Sequence, residues 1–557
     1  MYSGFDDPGR WVLPAVLAEQ AARRPDVRWI ETTTGECTSF GEAFASVERA
    51  AGFFASLGVA PGDHVAVMLP SGLDLMRAWL GIGRLGAVAV LLNPELTGAF
   101  LRHPLTDCGA TLAVVDASLL PAFVEASREV PTIARVLVAG GAPGPARGDT
   151  PGAAPSDPAD TVPRAGLQTL AWDGWRTAAP HQGPMPRAQD IACVMYTSGT
   201  SGPAKGVLMP HAHCFLYGRG AIDSLALTAD DVYYIVLPLF HANGLLMQLG
   251  ATLIAGCAAV VRPRFSASAW LDDIRRHRAT LTNCLGALAA FVVGTPPTPH
   301  DRDHRLRVVK NGPNLPEHEA VFRERFGVPD VTSGFGMTEV NIPVWGRLGE
   351  STPGAAGRVY DRFFEVVIAD PETDRPVAPG ELGEILVRPK VPFGFMAGYH
   401  GRPQQTVEAW RNLWFHTGDA GTMTADGVLT FVDRIKDCIR RRGENLSATE
   451  IEAAFATLAG VAEVAAYAVP SDIRGGEDEV MLAVVPAPGA SPTPQDVAAH
   501  AERALPRFAR PRYVSLVDAL PKTATGKVQR AVLRKRGADG AWDLEQASRA
   551  ASAPTAR

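Results

Sequence analysis

The stretch Ile191-Ala-Cys-Val-Met-Tyr-Thr-Ser-Gly-Thr-Ser-Gly-Pro-Ala-Lys205-Gly-Val207 decides how this chain is read. Its first residues form a short apolar run, the pattern of a buried strand. The run delivers a loop that carries the hydroxyls of Thr197, Ser198, Thr200 and Ser201, the glycines Gly199 and Gly202, and the amine of Lys205. Glycine lets backbone N–H groups approach a ligand closely, hydroxyls add donors, and lysine adds positive charge, so a polyphosphate is the natural ligand. An ordinary Gly/Ser turn is the bland reading of the same residues.

Gly199 to Lys205 nearly fits the P-loop pattern G-x-x-x-x-G-K-[ST]. Here Ala204 precedes the lysine and Gly206 follows it. The hydroxyl that holds Mg²⁺ in a P-loop NTPase is missing, so magnesium has to be bound elsewhere.

Outward from this loop, Trp11 to about Val138 alternates helix-like runs (Leu17 to Arg24, Gly41 to Leu57) with short apolar strands (His64 to Leu69, Ala87 to Leu92, Ala113 to Asp116). That alternation predicts an α/β architecture with parallel pairing. Between Gly140 and Ala165 come six prolines among glycine and alanine, a composition that cannot bury a core, so a surface insert is expected over about 140–165. Leu245 to Val261 is apolar apart from Gln248 and Thr252. Its length sits at the bottom of the membrane-spanning range and it contains Gly250 and Gly256, so a buried helix running into a core strand is expected.

Regular structure resumes at Ile191 and persists to about Asp433, with Ala425-Asp426-Gly427 as a hairpin turn before Val428-Leu429-Thr430-Phe431. Beyond it the character changes. Ser447-Ala448-Thr449-Glu450 is a capping-box sequence opening a helix through about Leu458, and β-like runs follow at Val461 to Val469 and Val480 to Val485. The expected division is a large α/β domain with mixed sheets over 1–435, a small α+β domain over 436–540, and a disordered alanine-rich tail over 541–557. Internal repeats are not seen.

A chain of 557 residues with 46% hydrophobic and 20% charged residues is too long for one core and too apolar for disorder. Its formal net charge of -6 gives no electrostatic case for nucleic acid or an anionic membrane as a bulk partner. The seven cysteines are odd in number, scattered, and form no C-x-x-C pair, which fits buried thiols in a reducing compartment better than zinc or disulfide chemistry. Met1 to Trp11 carries Asp6 and Asp7 and no basic flank before an apolar stretch, so it does not read as a signal peptide and a cytoplasmic location is expected.

Further motifs follow the loop in order: Gly334-Phe-Gly-Met-Thr-Glu339, Trp414-Phe-His-Thr-Gly-Asp419, Asp433-Arg-Ile-Lys436, Arg442-Gly-Glu-Asn445 and Pro521-Lys-Thr-Ala-Thr-Gly-Lys527. Taken together they closely resemble the adenylate-forming superfamily of acyl-CoA synthetases, peptide-synthetase adenylation domains and beetle luciferases. The resemblance covers about residues 15 to 535 and looks most like the carnitine and crotonobetaine CoA ligase branch. It implies a large N-terminal domain, a small mobile C-terminal lid, and an AMP-forming ligase that uses ATP, Mg²⁺ and coenzyme A on a small-molecule carboxylic acid, with a homodimer left open.

The resemblance also implies residue roles. Thr197, Ser198, Gly199, Thr200, Ser201, Gly202 and Lys205 would cradle the phosphates, Thr338 would contact the α-phosphate, and Glu339 would coordinate Mg²⁺. Asp419 would hold the ribose hydroxyls with help from Arg434, Phe335 would lie against adenine, and Gly336 would belong to the same nucleotide site. Lys527 would bridge the attacking carboxylate and the phosphate, Lys436 would be the hinge, and Gly443 and Arg442 would face a pantetheine tunnel. His241, in Pro238-Leu-Phe-His-Ala-Asn243, would stand between acyl pocket and tunnel, with Phe240, Asn243, Asn283 and Asn341 around the acyl group. These asparagines favour a small polar or aryl acid over a long-chain fatty acid.

Chemistry supports the pattern independently: a carboxylate attacking ATP brings anion toward anion, so positive charge must be concentrated where charge develops. Each residue alone has a bland reading, as a turn acid, an exposed lysine or a structural histidine. One segment departs from the family, since Lys310-Asn-Gly-Pro-Asn314 replaces the usual Gly/Ala-rich adenine-side loop. A ligase with an amine or other acceptor would carry identical adenylation motifs, and a luciferase-like oxygenase or an inactive ATP-binding protein are further readings.

Overall fold

The structure is a computed structural model. It describes residues 1–140, 166–197, 203–285, 287–312, 314–350, 352–371, 373–434, 438–442, 444–455, 457–473, 476–521, 528 and 530–546. Of the expected 140–165 insert all but Gly140, together with Ser198, Gly199, Thr200, Ser201, Gly202, Lys436, Gly443 and Lys527, lie outside the described residues, as does the side chain of Arg434.

The apolar runs near the N-terminus pair as expected. His64–Met68 lies between Val88–Leu91 and Leu112–Asp116, parallel to both, with Val65 opposite Ala89 and Val67 opposite Val114. Strands covered on both faces need apolar residues at every position, which is why these read as continuous runs and not as alternation. The helix Phe40–Ser56 starts at a capping box of Ser39 and Glu42, and Leu73–Leu85 stops at Gly86 with φ +80°. The resulting eight-stranded sheet continues through Ile191–Thr197 and Lys205–Pro210 to an edge strand, Gly398–Tyr399.

Two seven-stranded sheets complete the large unit. One carries Val308–Gly312, Leu281–Leu285 and Val232–Ile235 as parallel neighbours; the other is antiparallel and includes Gly334–Met337, Asn341–Trp345, Phe415–Met423 and Val428–Arg434. The Phe415–Met423 and Val428–Arg434 pair is the hairpin expected from Ala425-Asp426-Gly427. The apolar segment near 245 folds as a π-helical Asn243–Leu249 followed by a helix, Gly250–Ala255, a left-handed Gly256 and the strand Ala258–Val261, all buried but for Asn243 and Ala258. No helix among the described residues is long and apolar enough to cross a membrane.

The C-terminal unit has its own core around Ile439, Ile451, Phe455, Val480 and Leu482. Its sheet runs Val461–Val469, Glu479–Pro486, Tyr513–Leu516 and Trp542–Asp543. The last strand corrects the expected tail at 541. Trp542 and Asp543 pair with Val514 and Tyr513, Leu544 packs on the core, and the Glu545 carboxylate takes Arg441 at 2.9 Å and Arg442 at 2.5 Å. Alanine content concealed one short strand held by these contacts. Among the six cysteines whose side chains are described none is bridged, and five are buried.

Candidate active site

The phosphate loop spans a β-hairpin. Thr197 is in register with Lys205 on antiparallel strands, so the connection 198–204 returns into a strand and not into the helix N-terminus that a P-loop NTPase uses. At its mouth the Glu339 Oε1 accepts hydrogen bonds from Thr197 Oγ1 at 3.2 Å and from Tyr399 Oη at 3.0 Å. Lys205 Nζ lies 4.1 Å from the centroid of the Tyr399 ring. Burial and the Glu339 charge push the Tyr399 phenol well above its ordinary pKa, so it stays a hydroxyl donor. Sequence reasoning missed Tyr399; its one signal was Gly398, whose φ of +145° marks an irregular edge strand.

Thr338 and Glu339 sit on the turn between Gly334–Met337 and Asn341–Trp345, and the helix His211–Leu225 clamps that turn from behind. Tyr217 Oη donates to Met337 O at 2.9 Å, His213 Nε2 lies 2.9 Å from Thr338 O, and Asn341 Nδ2 donates to His213 O at 2.9 Å. His213 Nδ1 is 2.8 Å from Gly394 O, and burial lowers the ring's pKa to about 4. The neutral ring donates through one nitrogen at a time. Asn341 was expected in the acyl pocket. Its side chain is instead buried in this turn, where Oδ1 accepts from Ile342 N and the backbone holds φ +69°. Asparagine is one of the few residues with a side chain that tolerates that conformation.

Across the cavity, Phe335 stacks at 6.1 Å and 24° on Phe431, Gly336 lies alongside, and Asp419 is in strand register with Arg434. A Cβ at Gly336 would come 2.2 Å from Asn341 O, so only glycine fits there. The strand segment Thr417–Asp419 is fixed by Glu384, unforeseen from sequence, whose carboxylate accepts from Gly418 N at 3.0 Å and faces His416 at 3.0 Å.

On the other side, Phe240 and His241 line the cavity with ring centroids 4.4 Å apart. Asn243 lines it too. Its Oδ1 accepts from Gln248 Nε2 at 3.0 Å and from Asn283 Nδ2 at 2.8 Å, while Asn283 Oδ1 accepts from Tyr233 Oη at 2.7 Å. Asn283, 0% exposed, therefore orients Asn243 from behind and does not itself line the cavity.

The C-terminal unit completes the enclosure. Glu450 accepts from Ala204 N at 2.5 Å, and Leu96 and Phe100 pack against the C-terminal core. Arg440, Arg442 and Phe508 line the same cavity, which holds about 1620 Å³. Arg441, 2% exposed, is tied to Glu479 and Glu545 and faces away from it.

Two family models match the chain: AMP-binding enzyme over residues 17–400 and AMP-binding enzyme C-terminal domain over 450–527. A crotonobetaine/carnitine–CoA ligase of Shigella dysenteriae serotype 1 is 30% identical over 504 residues, covering 89% of this chain and 93% of the relative. Among solved structures, the o-succinylbenzoate CoA synthetase of Bacillus subtilis, bound to a product analogue, has a TM-score of 0.77 at 24% identity, covering 95% of this chain and 99% of that one. An amide bond synthetase of Marinactinospora thermotolerans likewise has a TM-score of 0.77 at 24% identity, covering 94% and 99%. By these matches the chain belongs to the AMP-binding enzyme family and is an ATP-dependent, adenylate-forming ligase of the acyl-CoA ligase group.

Proposed function

We propose that this ligase activates a small polar or aryl carboxylic acid as its acyl-adenylate and passes the acyl group to coenzyme A in the same cavity. The observation that carries the reading is the meeting of Thr197, Glu339, Tyr399 and Lys205 beside the Phe335 and Asp419 wall. In the first step a carboxylate oxygen attacks the α-phosphorus, the bond to the bridging oxygen breaks, and pyrophosphate leaves. Lys205, the Thr338 hydroxyl and Lys527 would meet the charge that develops. Asp419 with Arg434 would hold the ribose, and Phe335 and Gly336 the adenine.

Glu339 suits a magnesium ion carried in on the phosphates. Its Oε1 takes both neighbouring hydroxyls and its carboxylate lines the cavity. Magnesium characteristically uses one or two carboxylates plus substrate phosphates, and the described residues assemble no cluster of three or more His, Cys, Asp or Glu ligands. When bound, the ion would neutralise phosphate charge.

In the second step the thiol loses its proton, sulfur attacks the acyl carbon, the acyl–oxygen bond breaks, and AMP leaves. His241 and Phe240 would stand between acid and thiol, with Gly443 and Arg442 at the tunnel and Lys436 as the pivot that exchanges Lys527 for them. We assign the work to the cytoplasm, on the buried free thiols and the use of ATP and coenzyme A. The test is a panel of acids with ATP, scoring pyrophosphate release and thioester mass with and without coenzyme A. Thioester formation supports the reading; adenylation with no thioester moves the acceptor to another nucleophile.

A further inference from the structure

Two hydrogen-bond donors that line the cavity, Lys310 and Asn243, face no anion among the described residues. Lys310, on Val308–Gly312, lines the cavity and is 5% exposed. Its Nζ donates to Ser333 O and lies 4.4 Å from the centroid of the Trp345 ring. A Cβ at position 334 would come within 2.7 Å of that nitrogen, so Gly334 is what leaves room for it. An ammonium has three N–H donors and Ser333 uses one. No carboxylate among the described residues pairs with it, and burial lowers its pKa to about 7. A buried amine without a counter-ion is costly, and its place in a substrate cavity points to a ligand that supplies the missing anion.

The second donor is Asn243. Both hydrogen bonds from Gln248 and Asn283 enter its Oδ1, which fixes the amide and leaves Nδ2 directed to other acceptors. Asn283, which orients it, is the strand-register partner of Lys310, so both residues belong to one face of adjacent parallel strands. The strand of Asn283 thus stands between the strand of Lys310 and the amide of Asn243, and both Lys310 and Asn243 line the cavity. Lys310 offers no acceptor to a cationic tail, the Asn243 Oδ1 is already taken by Gln248 and Asn283, and a quaternary ammonium would be repelled by Lys310.

We propose that the acid activated here is a dicarboxylate, whose second carboxylate, remote from the reacting one, is read by Lys310 and Asn243. The proposal rests on the ligase reading above. It narrows a polar or aryl acid to one with an anionic tail, and the cation at position 310 becomes the specificity determinant. A charge-assisted contact of this kind contributes on the order of 10- to 100-fold in discrimination.

The test measures acid-dependent pyrophosphate release for α,ω- and aryl dicarboxylates, their half methyl esters, and ω-trimethylammonium acids of matched length. The expected result is a kcat/KM about 10-fold or more higher for the best diacid than for its half ester, with the ammonium acid lower still. K310M should bring the diacid-to-ester ratio to about one or below, and N243L should lower it less. If K310M does not fold, the wild-type ratio still decides. Equal or better turnover of half esters or ammonium acids by the wild type overturns the tail assignment alone. Pyrophosphate release with none of the acids, monocarboxylates included, overturns the adenylating reading beneath it.

Discussion

Glu450, on the first helix of the C-terminal unit, accepts a 2.5 Å hydrogen bond from the backbone N–H of Ala204, at the exit of the phosphate loop. One carboxyl therefore ties the C-terminal unit to the exit of the proposed ATP loop. Burial pushes this carboxyl up to about 7, against an opposing pull from the Ala204 N–H. The docked state holds the proton more tightly than an undocked one. Docking is then favoured fully below the ordinary glutamate value of 4.5 and weakens as pH rises from there through about 7. Energy transfer between dyes on the two units should show that slope, E450Q should flatten it, and E450A should lower the docked fraction by roughly fivefold. A slope of opposite sign contradicts the latch.

Tyr399 reaches the carboxylate assigned to magnesium. Tyr399→Phe removes one of the two hydroxyls on Glu339 Oε1 and keeps the ring beneath Lys205. We expect KM for MgATP to rise by roughly 5- to 10-fold, with thioester formation from supplied acyl-adenylate little changed. Equal loss in both half-reactions would place Tyr399 in general stability.

Lys527 stands in the sequence Thr523-Ala-Thr-Gly-Lys527, and a charge needed at the phosphoryl step has no work once AMP is attached. Lys527→Ala should lower adenylation by about 100-fold or more, the cost of removing a charge-stabilising donor, and leave transfer from supplied acyl-adenylate within about threefold. Parallel loss of both half-reactions refutes the role.

Lys436 follows the last strand of the large unit. In the proposed reaction Lys527 serves the phosphates first and then gives way to a thiol, which calls for two arrangements of the C-terminal unit, and a few residues that absorb a φ/ψ change are enough for a pivot. Lys436→Pro restricts φ there. Adenylation should stay near normal while single-turnover thioester formation falls by about 10-fold or more. Thioester formation at the wild-type rate removes Lys436 from the hinge.

Much of the fold was legible because its signals are local. Apolar runs such as Val88–Leu91, the Ser39 and Glu42 cap, and the hairpin at Gly427 each state their structure within a few residues. The ordered motifs likewise located Thr338, Glu339 and Asp419, which the structure gathers into one cavity. Tyr399, Glu384 and His213 were not legible, since each acts by reaching a distant backbone or carboxylate that sequence does not show as near. Asn283 and Asn341 were seen as pocket residues but support from behind, because burial direction depends on strand pairing across the sheet. Lys310 was visible only as a departure from the family, and its lack of a counter-ion appeared with the packing.

In the proposed reaction the acid's carboxylate oxygen becomes bonded to the α-phosphorus before the acyl group moves to sulfur. That order is tested most directly by supplying the best acid of the panel with its reacting carboxylate labelled with ¹⁸O, together with ATP and coenzyme A, and weighing the products. A single ¹⁸O is expected in AMP, a single ¹⁸O in the thioester carbonyl, and none in pyrophosphate. Label in pyrophosphate or inorganic phosphate, or thioester formed with unlabelled AMP, would contradict it.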